Sequence, residues 1–249
     1  MLSAVPVFQA AFFAGPEWQG VPQVYMDEYI YYSHVTEAAT GNLFFGNPYL
    51  LEHRFSLPLV LFGSNVLAAL PLLAGLPLYL SLVFNFMLWS LVFVLLYYVL
   101  ARSFLLARWY SAAVALFAYI QSYDQVYRVS VRQEVFPFLL LFWIALTRFI
   151  QKPESTRALL WLGAATGATF YIYGFLWQTA VATLGMLVLY ALFVRQWVLL
   201  RQTLWALGVG IVVGAPALAY TLWVTTQPYF WESMLRFGLV HTRLPVGEL

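Results

Sequence analysis

The segment VYMDEYIYYSHVTEAATGNLFFGNPYLLEHRFSLP, from Val24 to Pro58, gathers the side chains best suited to chemistry. Asp27 and Glu28 are adjacent carboxylates at the head of a stretch, Glu28 to Thr40, that reads as a short helix. Asp27 suits the N-cap, Glu28 the first turn and Gly41 the C-terminal cap. Asp27, Tyr31 and His34 recur at i, i+4 and i+7, on one helical face. A carboxylate in partly desolvated surroundings has a raised pKa and can serve as a general base. Tyr25, Tyr29, Tyr31 and Tyr32 are placed to desolvate it and to stack on a sugar ring. Helix capping accounts for Asp27 as well, and at this level both readings stand. A Gly46-Asn47-Pro48-Tyr49 turn follows, then Glu52-His53-Arg54.

Two further clusters carry charge. In Ser122 to Glu134, Asp124, Arg128 and Arg132 stack at i, i+4 and i+8 if the chain is helical. If it is extended, Arg128, Ser130 and Arg132 share one side. Either geometry aligns two guanidiniums, which can hold a phosphate bidentately; local pairing of Asp124 with Arg128 is the plainer alternative. The third cluster, Pro228 to Pro245, offers Arg236, His241 and Arg243 to a phosphate, or anchors the chain at an interface with Tyr229 and Trp231. The three histidines, His34, His53 and His241, lack metal-ligand spacing. No metal site is read from them, although the Asp27–Glu28 pair is of the type that accepts Mg²⁺ or Mn²⁺.

The elements that position these groups are set by solvent. Of 249 residues, 63% are hydrophobic and 9% charged, and the mean hydropathy is +0.80. Soluble domains run near ~25% charged. A soluble fold of this size could not hide so much apolar surface, so the chain is expected to be an all-α polytopic membrane protein. The 17 Tyr and 10 Trp suit membrane interfaces. A net charge of +2 gives no reason to expect nucleic acid, and the absence of cysteine excludes disulfides and thiolate sites.

Six apolar segments read as spans, at about 78–101, 104–122, 135–150, 157–173, 174–194 and 202–226, with the hairpin between the fourth and fifth at Gly174. Met1 to Ala14 reads as the outer end of a partial first helix, which makes the chain a fragment by expectation, with a tail, 227–249, that is itself truncated. Leu57 to Leu76, with Pro58 and Pro71, reads as helices at the membrane surface or dipping into it. Gly163 and Gly167, like Gly210 and Gly214, have the spacing that lets membrane helices approach closely. Pro137 and Pro216 read as tolerated breaks.

Charge sorts by side. Arg102, Arg108, Arg148, Lys152, Arg157, Arg195 and Arg201 fall in loops of one side, against Glu154 alone. Nine of the ten acids fall on the other, with Arg54, Arg128, Arg132, Arg236 and Arg243. The positive-inside rule makes the first side cytoplasmic. The loop 15–56 and the tail are then extracytoplasmic, in an inner or plasma membrane protein of a single transmembrane domain.

An acidic pair followed by a Tyr in the first outer loop, then a helix, a Gly, an Asn-Pro-Tyr turn and a Pro-led surface helix, resembles the GT-C superfamily of membrane glycosyltransferases. The resemblance covers the loop and the first surface helix; over the later spans it is one of hydropathy. It implies an enzyme of the mannosyl- or arabinosyltransferase type that moves a sugar from a polyprenyl-phosphate donor to an acceptor hydroxyl, with inversion, on the extracytoplasmic face. Asp27 would deprotonate the acceptor and Glu28 would support or replace it. Arg128 and Arg132 would hold the donor phosphate, with His34, Arg54, Glu134, Arg236, His241 and Arg243 in support. A transporter or flippase of lipid-linked solutes, or a noncatalytic membrane subunit, is the competing expectation.

Overall fold

The computed structural model describes residues 11–13, 15, 28–42, 56–58, 63–122, 132–174 and 176–231. Its helices are α1 (Glu28–Ala39), α2 (Gly63–Leu73), α3 (Leu78–Ser103), α4 (Arg108–Gln121), α5 (Arg132–Gln151), α6 (Thr156–Ile172), α7 (Leu176–Phe193) and α8 (Trp197–Thr225). No strand occurs among the described residues.

Local sequence explains most of the boundaries. Pro77, extended at φ −63° and ψ 155°, sets the start of α3. Ser155 caps α6 by accepting from the Ala158 amide at 3.3 Å. Gly41 ends α1 with φ +91°. The amides of Gly41 and Asn42 bond back to the carbonyls of Ala38 and Glu37, each at 3.1 Å, which is the paired C-cap that a left-handed residue makes possible. Gly75, at φ +90°, ends α2 in the same way. The turn between α6 and α7 falls at Gly174, as its sequence predicts.

Three helices are long and apolar enough to cross a membrane: α3 with 26 residues, α7 with 18 and α8 with 29. Only 33% of the apolar window in α3, and 22% in each of α7 and α8, is buried against protein. The remainder displays large apolar side chains such as Leu91, Met186 and Val212, and lipid is the solvent that tolerates such a surface. The other expected spans are helical but do not meet that measure. α4 has 14 residues, or roughly 21 Å at 1.5 Å per residue. α6 has 17 residues, roughly 25 Å. α5 has 20 residues, but Arg132, Gln133 and Glu134 open it and leave a shorter apolar helix, Val135–Gln151. A hydrocarbon layer is ~30 Å thick, so the count of six spans goes beyond what these lengths establish.

The core lies where α5, α6, α7 and α8 meet. Phe142, Phe149, Leu162, Leu184 and Ala206 are fully buried there. α6 and α8 run parallel and almost touch. A Cβ added at Gly163 would stand 2.6 Å from the Val209 Cβ, and one at Gly167 would stand 2.5 Å from the Val213 Cβ. The reciprocal glycines Gly210 and Gly214 face Thr166 and Phe170. Both spacings mark one contact, and the helices approach because each glycine leaves room for a side chain of the other helix.

α3 packs parallel to α5, with Phe93 against Phe136 and Leu140, and Gln151 Nε2 donating to the Ser103 carbonyl at 2.5 Å. α4 returns antiparallel, with Tyr119 on Phe93. The ends of α3, α5 and α7 therefore gather with the starts of α4, α6 and α8. Arg102, Arg108, Arg148, Lys152, Arg157, Arg195 and Arg201 are all exposed at that end. The basic half of the charge sorting is thus a property of the folded chain.

α1 and α2 form a satellite at the opposite end. Val35 and Ala38 of α1 bury against Ala68 and Ala69 of α2. α2 reaches from the end of α6, where a Cβ on Gly63 would meet the Tyr171 carbonyl oxygen at 2.6 Å, to the start of α3. Asn85 of α3 donates to the Ala68 carbonyl at 2.8 Å. Asn85 lies seven residues into α3, roughly 10 Å along it, so α2 dips below the helix ends. Tyr220 of α8 donates to the Pro58 carbonyl at 2.6 Å.

Candidate functional site

The structure brings together a polar group at the α1–α2 contact. α1 contributes His34. α2 contributes Ser64 and Asn65 in its first turn, which Gly63 presses against the end of α6. Asn65 Nδ2 stands 3.4 Å from His34 Nδ1. In that arrangement the amide donates and Nδ1 accepts, which leaves the imidazole proton on Nε2. Burial lowers the His34 pKa from its ordinary value to about 4, so the ring is neutral at physiological pH.

Ser64 is fully buried and Asn65 is 4% exposed. The Ser64 Oγ and the Asn65 Oδ1 have no hydrogen-bond partner. Exchanging the amide O and N of Asn65 would put Nδ2 in the orphaned place of Oδ1, so one polar atom of the amide lacks a partner under either assignment. Buried polar groups are normally paired, and each orphan calls for a reason. By contrast Asn85, 1% exposed in the midst of an apolar helix, is engaged by the Ala68 carbonyl and has a structural role. Glu37, one turn beyond His34, receives the Asn42 side chain at 2.9 Å in the C-cap of α1.

Of the residues to which the sequence assigns chemistry, His34 is the one described in full. Glu28 opens α1, Arg132 opens α5 and Glu134 lies in its first turn; their description stops at the backbone. Asp27, Arg54, Arg128, Arg236, His241 and Arg243 lie outside the described residues. The proposed meeting of the Asp27–Glu28 pair with Arg128 and Arg132 therefore also lies outside them. Among the described residues no three of His, Asp and Glu gather as metal ligands. Sequence reasoning missed Ser64 and Asn65. The signal was a Ser-Asn pair inside the apolar run LFGSNVLAAL, where polar side chains are costly unless they are used.

No protein-family model, curated protein or solved structure matches the chain. Any functional reading rests on the chain's own residues.

Proposed function

We propose that the chain is a membrane glycosyltransferase of the GT-C kind, using a polyprenyl-phosphate sugar as donor, with six spans and its reacting groups on the extracytoplasmic side. Support comes chiefly from one observation. The helix opened by Glu28 is bound to the non-basic end of an apolar bundle through α2, and the same contact holds a neutral His34 beside buried, unpaired polar atoms. The seven exposed basic residues at the other end favour a cytoplasmic placement for that end.

In this reading the Asp27 carboxylate takes the proton of the acceptor hydroxyl, with Glu28 in support. The acceptor oxygen attacks C1 of the sugar. The bond from C1 to the phosphate oxygen breaks on the opposite face, and its electron pair leaves with the lipid phosphate. Arg128 and Arg132 stabilise the charge that develops there. Arg54, Arg236, His241 and Arg243 stand in support, and a divalent ion at the carboxylate pair is compatible with the scheme.

The rival is a transporter. Coupled transport calls for ionisable side chains near mid-bilayer. α7 has no Asp, Glu, Lys, Arg or His, and α3 has none before Arg102. Membranes holding the chain, given a prenyl-phosphate donor with a labelled sugar and a hydroxyl acceptor, should release free prenyl phosphate. Movement of the label across the bilayer without release would identify a transporter, and binding without release a noncatalytic subunit.

A further inference from the structure

We infer that Ser64 and Asn65, walled by His34 of α1 and the end of α6, form a binding subsite for a neutral hydroxyl-bearing group of the sugar type. The two side chains are nine-tenths or more buried, yet Ser64 Oγ and Asn65 Oδ1 have no partner. Such a deficit weakens a fold. The chain keeps it twice in consecutive residues, on a helix start fixed in place by Gly63 against the Tyr171 carbonyl. A sugar carries several hydroxyls, so each atom could be answered by its own: one O–H would donate to Asn65 Oδ1, and another hydroxyl oxygen would accept from Ser64 Oγ.

The described residues of the cluster offer no positive charge. His34 is neutral and already turned to Asn65, and Glu37 is engaged in the helix cap. A phosphate or carboxylate would arrive without a countercharge from this cluster, at a heavy desolvation cost. A sugar hydroxyl incurs no such cost. The hydroxyl can come from a free sugar or from the headgroup of a glycolipid.

Both sources are tested with the full chain in phosphatidylcholine nanodiscs. Methyl glucoside serves as the free probe, decyl glucoside below its micellar concentration as the lipid probe, and inorganic phosphate as the charged probe. Binding is read by saturation-transfer NMR and by the thermal midpoint. At least one glucoside should bind saturably and phosphate should not. Saturation by methyl glucoside identifies a free sugar as the ligand, and saturation by decyl glucoside alone identifies a lipid headgroup.

Ser64→Ala and Asn65→Leu should each weaken binding roughly tenfold. Ser64→Ala should also leave the ligand-free midpoint unchanged or higher, because it removes an unpaired buried hydroxyl. Absence of saturable binding by either glucoside, binding unaffected by both substitutions, or preference for phosphate would overturn the subsite. So would a lowered midpoint in ligand-free Ser64→Ala, which would mean that the hydroxyl serves the fold. The choice of sugars draws on the transferase reading, but the outcomes separate: binding without turnover upholds the subsite and removes the enzyme.

Discussion

Asn65 Nδ2 and His34 Nδ1 meet at 3.4 Å across the α1–α2 contact, 31 residues apart in the chain. The contact makes His34 a pH-sensitive element of the fold. Its pKa falls from 6.5 to about 4 on folding, because burial disfavours the imidazolium. The unfolded chain therefore binds the proton more readily. Stability is full above pH 6.5 and declines as pH falls from there to about 4, by about 3 kcal/mol at the low end. Thermal midpoints of wild type and His34→Gln between pH 4 and 8 should converge toward low pH. Parallel curves would mean that folding leaves the His34 pKa unshifted.

The α6–α8 contact sets a second expectation. Gly163→Ala and Gly167→Ala would push a methyl against the Cβ atoms of Val209 and Val213, which are fixed to the backbone and cannot turn away. Each should lower stability by about 1–3 kcal/mol. Gly185 and Gly208 have open space around the added atom. Alanine there should be neutral or stabilising by up to about 1 kcal/mol. Chemical denaturation in mild detergent distinguishes the pairs, and equal effects at all four positions would refute the close contact.

Arg195 ends α7 at φ 56°, a left-handed conformation that side chains with a Cβ disfavour. The Gln196 amide closes the cap on the Ala191 carbonyl at 2.9 Å. Arg195→Gly should stabilise by about 1 kcal/mol and Arg195→Val should destabilise by at least as much. A thermal shift of the same sign in both variants would contradict this geometry.

The absence of cysteine makes sidedness accessible. Single cysteines replacing Glu154, in the turn before α6, and Asn42, beyond α1, mark opposite ends of the bundle. In intact cells a membrane-impermeant maleimide should label the Asn42→Cys protein and spare the Glu154→Cys protein until the cells are opened. The reverse pattern would invert the proposed orientation, and labelling of both would break the proposed six-span path.

Much of the helical layout was legible because composition and punctuation act locally. Gly41, Gly174 and the two glycine pairs fall where turn chemistry and small-residue spacing put them. α8 begins at Trp197 and not near 202, because Arg201 is exposed at the basic end and need not sit in a loop. The left-handed turns at Leu105 and Arg195 gave no sign, since their residue types do not advertise that conformation. The number of spans was not legible either. It depends on helix length against bilayer thickness, and three of the six apolar segments fall short on length or carry polar ends. The His34–Asn65 meeting is long-range, and no local pattern encodes it. Most of the chemistry assigned from sequence, including Asp27 and Arg128, lies outside the described residues.

The central claim is that Asp27 deprotonates an acceptor on the outer face. Its direct measurement is the transfer of labelled sugar from a prenyl-phosphate donor by membranes containing wild type or Asp27→Asn at matched expression. The substitution keeps size and removes the base, so the rate should fall by roughly 10²-fold or more, with donor binding retained. Transfer at the wild-type rate by Asp27→Asn would contradict the account.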